Sequence, residues 1–343
     1  MPPIQHRIDC HDDNLWIENL YAVNRNIIQA LADKCVVLSA PDILFSKWVT
    51  SINNCQVVVT MYDDIFDDRW FDDLKVTSKK YNIKFTIITN IHYAGYNDIP
   101  EYKIQFYKEL YGVFYNPAIK QTKINHNKLY TCLMQRTDFS RLSLFSNLSK
   151  NNLIDDGNVS LLGFQINNTK KSATEVVNDI NSEYHLFDKI VSNYTFPFRN
   201  FVDSKNCFEI EEQSKYIIVS ETYNTCGEVT PNWISFTEKT FRSLQIPNIS
   251  ILLNKNGAMD VLCEMGFKIH PINKILDYMM SFNSQTNFVI GILKNDIFDE
   301  VGHAESLHNQ NLLMKWYNTL QSDDFYTTIS SNLHTWISQT TKI

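Results

Sequence analysis

"KYIIVSETYNTCGEVTPNWISFTEKTFRSLQIPNISILLN", residues 215 to 254, sets two apolar runs on either side of a helical pattern. KYIIVSET (215–222) and NISILLN (248–254) read as strands buried on both faces, because apolar residues run through them with little polar alternation. Between them, Phe241 and Leu244 recur at helical spacing behind a start signal, TEKT (237–240). Strand, helix and strand in that order predict a parallel pair with the helix covering one face.

The same alternation runs through the chain. CVVLSA (35–40), CQVVVTMY (55–62), KFTIITNI (84–91) and GVFYN (112–116) form a first series of expected strands. KLYTCLM (128–134) and NVSLLGF (158–164) open a second series that the quoted stretch completes. Helical spacing lies between them, as in Trp16, Leu20, Val23 and Ile27, and in Leu142, Phe145 and Leu148. The polar stretch NPAIKQTKINHNK (116–128) divides the two series. An α/β protein of two Rossmann-like units, residues 1–118 and 128–300, facing each other across a cleft, is the expected architecture. A helical segment over 305–340, carrying Leu307, Leu312, Leu313, Trp316, Leu320 and Phe325, is expected to pack back on the first unit.

Composition bounds the function. The 343 residues are 44% hydrophobic and 13% aromatic, enough for packed cores. A formal charge of −7 argues against a general polyanion-binding surface but leaves room for a local basic cleft. Seven scattered cysteines contain no C-x-x-C pair, and several sit in apolar runs, which favours reduced thiols and a cytoplasmic setting. MPPIQHRIDCHDDN lacks the apolar centre of a signal peptide, and no run approaches the length of a membrane span.

Two helix starts carry the chemistry. Ser235 followed by Glu238 fits a capping box, in which Glu238 reaches back to a backbone N–H. Against that structural reading, Lys239 in the first turn opposes the helix dipole unless an anion also sits there. The loop before TEKT follows a strand, which places it at the carboxyl edge where open α/β sheets bind ligands. In LYTCLMQRTDFSRLSLFSNL (129–148), a strand likewise feeds a helix start bearing Arg136 and Arg141, whose guanidinium groups match phosphate oxygens. The competing structural reading is a solvated arginine pair capped by Asp138. Two basic helix starts suit one diphosphate.

The block VSETYNTCGEVTPNWISFTEKTFRSLQIPNISILLNKNGAMDVLCEMGFKIHP resembles the nucleotide-sugar-binding half of viral and phage glycosyltransferases. That half is similar to fucosyltransferase-like enzymes of GT-B architecture. The matching elements are Ser220-Glu221, Thr237-Glu238-Lys239, Pro247 to Leu253, and Leu262 to Lys268, together with the arginine-bearing turn and the strand entry LIDDG. The resemblance covers roughly residues 128 to 272. It implies that Lys239 and an arginine, Arg136 or Arg141, neutralise the diphosphate, that Glu238 bonds the ribose hydroxyls, and that Glu221 lies near the sugar or nucleotide. Thr240 completes the implied nucleotide-sugar site. The chain departs from the family pattern at RSLQIPNIS, where a small or glycine-containing segment is usual, and at Gln135, where Asn is frequent.

Sugar transfer also needs a base for the acceptor hydroxyl if it inverts. Asp63, Asp64 and His92 follow expected strands of the first unit and are the candidates, against solvated or packed roles for each. No metal and no cofactor beyond the donor is expected. The acidic run YDDIFDD invites a rival, a metal-dependent GT-A-type transferase, but holds no D-x-D. The cluster His6, Cys10, His11, Asp12 and Asp13 is a weaker metal candidate. A third alternative is a non-catalytic α/β interaction protein. The acceptor is a glycan, or a hydroxymethylated base in phage DNA flipped from its stack. For the latter, Lys75, Lys79, Lys80 and Lys84 are the candidate phosphate contacts. The expected setting is the cytoplasm, of a host cell if the protein is viral.

Overall fold

Apolar strand runs and amphipathic helices assemble into two parallel sheets. The computed structural model describes residues 15–31, 36–39, 56–61, 68–93, 99–119, 126–134, 139–161, 165–166, 169–170, 207–221, 233–279, 281–297 and 303–340, and all that follows concerns these. The first half holds α1 (Leu15–Leu31), β1 (Val36–Ser39), β2 (Gln56–Met61), α2 (Asp68–Tyr81), β3 (Lys84–Thr89), β4 (His92–Tyr93) and β5 (Tyr102–Phe106). Its sheet has the order β1-β2-β3-β5, parallel throughout.

The second half holds β6 (Lys128–Met134), α3 (Phe139–Lys150), β7 (Gly157–Leu161) and a short hairpin of β8 (Gln165–Ile166) and β9 (Thr169–Lys170). It continues with α4 (Cys207–Glu212), β10 (Ser214–Ser220), β11 (Trp233–Ile234), α5 (Glu238–Gln245) and β12 (Ile249–Leu253). The helices α6 (Ala258–Met265), α7 (Pro271–Asp277), α8 (Phe282–Asn295), α9 (His303–Leu320) and α10 (Asp323–Thr340) follow. Its sheet has the order β12-β10-β6-β7, again parallel. Strands of β12 and β10 are buried on both faces, as their apolar runs require.

The expected strand over 112–116 does not form. Those residues overlap a 3-10 segment, Lys108–Phe114, and the fourth strand of the first sheet is β5. Leu110 through Phe114 are buried consecutively, as in the covered strands, but against α9, α1 and α5 rather than beside another strand. Gly112 permits the approach: a Cβ there would fall 2.5 Å from the Tyr317 nitrogen on α9. Conversely, Lys103 and Gln105 interrupt β5 and hide it from a search for apolar runs.

Two clusters form the core. Ile218, Ile251, Leu144, Leu148, Val289 and Leu293 pack one face of the second sheet against α3 and α8. The other cluster joins both halves, with Val23 and Ile27 of α1, Ile88 of β3, Tyr111, Val219, Phe241 and Trp316 among its members. The C-terminal segment is two helices, separated at Gln321-Ser322, where the Ser322 hydroxyl accepts the Asp324 N–H. α9 packs on the 3-10 segment and on α5, while α10 packs on α1, so these helices do return to the first half.

A further link matters for function. β4, two residues beyond β3, pairs antiparallel with β11, His92 opposite Ile234 and Tyr93 opposite Trp233. The carboxyl end of the first sheet is thereby tied to the segment leading into α5.

Candidate functional site at the carboxyl edge of the second sheet

Because the strands are parallel, Met134, Leu161, Ser220 and Leu253 end on one edge. At that edge α5 begins, and its start differs from the expected capping box. The cap is Thr237, whose hydroxyl accepts the Lys239 N–H at 3.4 Å. Glu238 is therefore the first helical residue rather than the third, and cannot reach back as a box requires. The partner that completes the cap comes from 16 residues upstream. Glu221, the residue after β10, accepts the Thr237 N–H at 3.0 Å with Oε1 and the Thr237 hydroxyl at 2.8 Å with Oε2. The Thr240 hydroxyl also donates to Oε1. The carboxylate is 3% exposed and sits at the positive end of the helix, where a negative charge is stabilised.

This arrangement decides what each neighbour can do. Thr240, expected among the nucleotide contacts, is fully buried with its hydroxyl committed to Glu221. Glu238 and Lys239 remain half-buried, and neither side chain makes a hydrogen bond or ion pair with any described residue. Burial pushes the Lys239 ammonium below its usual range. Glu238 opposes that shift, Arg141 reinforces it, Glu221 opposes it and Arg242 adds to it. An anion beside Lys239 would relieve the penalty.

Arg141, three residues into α3, is 0% exposed and donates through Nη2 to the Ser220 carbonyl at 3.1 Å. It brings positive charge beneath the strand ends and holds β10 to α3. Its neighbour Cys132 on β6 is a buried thiol pushed up to about 12 by burial, with Arg141 and Lys239 partly opposing, and is inert packing. Arg242 is committed elsewhere, paired through Nε and Nη2 to the buried Glu211 of α4 at 2.6 and 2.7 Å. Arg136, Asp63 and Asp64 lie outside the described residues, as does the cluster of His6, Cys10, His11, Asp12 and Asp13.

His92 lies on the first-half side of the same region. Ile234, its partner across the β4–β11 ladder, is three residues from Thr237, a reach of at most about 11 Å of extended chain. Its ring meets Phe106 edge-on at 5.9 Å, and Phe106 is 37% exposed at the carboxyl end of β5. The His92 Nδ1 is buried with no hydrogen-bond partner among the described residues, so the group that usually orients a histidine base is not present there.

The candidate DNA-phosphate lysines are placed differently. Lys75 lies midway along α2, Lys79 and Lys80 in its last turn, and Lys84 at the start of β3, the end of that strand opposite His92. Lys75 pairs with Asp72 at 2.9 Å, Lys79 with Glu101 at 3.5 Å, and Lys80 lies 5.0 Å from the Tyr81 ring centre. Two of the four, Lys75 and Lys79, are thus paired with acids.

Three features of the site went unread in the sequence. Asn254 and Lys255 follow β12 at the same edge, each 5% exposed, in a turn N-K-N-G whose lysine at a strand end was the available signal. Gly257, at φ +85, begins α6, and Asp277 accepts its N–H at 3.0 Å from 20 residues downstream. Tyr111 packs 4.5 Å from the Phe241 ring and hydrogen-bonds the Phe236 backbone, its hydroxyl held far above the usual range by burial. Both Asp277 and Tyr111 act over distances in sequence that local patterns do not carry.

Among the described residues no group of three or more His, Cys, Asp or Glu side chains is placed to hold a metal, and no helix is long and apolar enough to cross a membrane. No protein-family model, no curated protein and no solved structure matches the chain.

Proposed function

We propose that the chain is a glycosyltransferase of GT-B arrangement that binds a nucleoside diphosphate sugar at the carboxyl edge of the second sheet. The acceptor hydroxyl, of a glycan or a modified base, would be presented from the first half. One observation carries this reading: Glu238 and Lys239 project from a helix start already capped by Glu221 and Thr237, with no bond to any described residue. A buried-side lysine with a depressed ammonium, aimed from the carboxyl edge of a parallel sheet, suits an anionic ligand.

In the reaction, the acceptor oxygen forms a bond to the anomeric carbon while the bond from that carbon to the diphosphate oxygen breaks. The electron pair leaves with the diphosphate, where Lys239 meets the growing charge and Arg141 adds to the field from beneath. Arg136 is proposed as the contacting arginine, since Arg141 is enclosed. Glu238 takes the ribose hydroxyls. The acceptor proton passes to a carboxylate or imidazole of the first half, with Asp63, Asp64 and His92 the candidates. A viral origin and a cytoplasmic site of action belong to the same proposal.

The test is calorimetric titration of the protein with UDP, GDP and their sugar conjugates, first in chelator and then with magnesium. Binding of one diphosphate in chelator, weakened at least ~10-fold in Lys239→Ala, is the expected result. Equal affinity in Lys239→Ala sinks the phosphate role. An absence of binding under every condition leaves the non-catalytic alternative in its place.

A further inference from the structure

We propose that Glu221 is a positioning residue, not a ligand contact: its buried carboxylate, bonded to Thr237 and Thr240, fixes the direction in which Glu238 and Lys239 leave α5 and places a fixed acid at the helix start that bears Lys239. The inference deepens the nucleotide-site reading and rests on it for the identity of the ligand.

The geometry leaves Glu221 little to offer a substrate. Its two oxygens accept three bonds, from the Thr237 N–H, the Thr237 hydroxyl and the Thr240 hydroxyl. Its own N–H donates to the Leu253 carbonyl at 3.2 Å, which locks the end of β10 to β12. A carboxylate with 3% exposure and three donors is satisfied and enclosed. It also occupies the place a phosphate would take at a free helix start. The ligand's charge must then be met by the Lys239 side chain, and the affinity of the site depends on that side chain being charged.

The groups around Lys239 set that charge. Glu238 and Arg242 lie on its own helix, Arg141 faces it from α3, Cys132 from β6 and Glu221 from the end of β10. Arg242 is already paired to Glu211, and Cys132 is a neutral thiol. Burial does most to lower the Lys239 ammonium; Glu238 opposes it, Arg141 adds to it, Glu221 opposes it and Arg242 adds a little more. Glu221 is the fixed one of these two acids, since the Glu238 side chain has no hydrogen bond to any described residue. Removing the Glu221 charge therefore lowers the pH at which Lys239 loses its proton.

The experiment reads Lys239 directly and needs no ligand. Acylation of lysines by acetic anhydride is followed by mass spectrometry across pH 7 to 11, in the full chain and in Glu221→Gln and Thr240→Val. In Glu221→Gln the midpoint of Lys239 reactivity is expected to fall by half a unit or more, about threefold higher reactivity below the midpoint. Thr240→Val keeps the charge and should leave the midpoint in place, while amide exchange over 237–241 quickens in both variants. An unchanged Lys239 midpoint in Glu221→Gln overturns the proposal. If Glu221→Gln does not fold, unchanged exchange at 237–241 in Thr240→Val overturns the positioning role, and faster exchange supports it. UDP and GDP titrations of the same proteins separate the two readings. A midpoint shift in a protein that binds neither nucleotide sustains the role of Glu221 and removes the nucleotide site. Loss of affinity for the sugar conjugate alone in Glu221→Gln makes Glu221 a sugar contact and ends the proposal.

Discussion

Two helices, α5 and α6, begin at one sheet edge and each has its start closed by an acid from elsewhere in the chain. Glu221 closes α5 from upstream through three bonds, and Asp277 closes α6 from downstream through the Gly257 N–H. Their electrostatic surroundings differ. The Glu221 start has Lys239 and Arg141 within range, whereas the Asp277 carboxyl is raised chiefly by burial, against the backbone of Gly257 and Met259, with Asp260 adding to the rise. The same device thus stands beside two cations, Lys239 and Arg141, in one case, and beside a further acid, Asp260, in the other. A self-capped helix start is not evidence of a binding site; the uncommitted charges beside it are.

The comparison breaks most sharply at the acids. Glu221→Ala strands one part-buried N–H and two hydroxyls, that of Thr240 buried, and should cost about 3 kcal/mol in denaturant unfolding, while Asp277→Ala should cost about 1–2 kcal/mol. Equal costs would erase the distinction drawn between the two starts. A smaller effect is expected at Lys239. Lys239→Met removes a charge that burial disfavours, so the protein should melt slightly higher near neutral pH even as nucleotide affinity falls. A lower melting temperature would mean that Lys239 is structural.

The smallest effect concerns pH. The Asp277 carboxyl titrates higher folded than unfolded, so its protonated form favours the fold. That contribution is full below the ordinary carboxylate value of 3.8 and is lost as pH rises through the raised folded value. Asp277→Asn should flatten the stability profile over that acidic window and leave it unchanged near neutrality. A profile identical to that of the parent protein would assign the slope to other carboxylates.

Much of this was legible from the chain and some was not, for physical reasons. Ile217 to Val219 and Ile249 to Leu253 announced doubly covered strands because burial on both faces demands unbroken apolar runs, and the run Val57 to Val59 announced β2. β5 was hidden by Lys103 and Gln105, and GVFYN (112–116) mimicked a strand because the 3-10 segment it overlaps, packed among helices, is also buried from Leu110 to Phe114. The TEKT helix start was found at its place, but its cap was misassigned. Ser235 and Glu238 satisfied a local spacing, whereas Thr237 prevailed through Glu221, a partner that only the folded sheet brings near.

The 3-10 segment Lys108–Phe114 carries a consequence for synthesis. Its packing surface is α9, with Gly112 against the backbone of Trp316 and Tyr317, about 200 residues later in the chain. At ribosomal speeds of roughly 5–20 residues per second, that partner emerges some 10–40 s after the segment does. During that interval α1 covers part of the segment, and the side that α9 will cover stays open. The core of the first half therefore closes only once Leu313, Trp316 and Leu320 of α9 have been made, and completing its sheet does not by itself complete it.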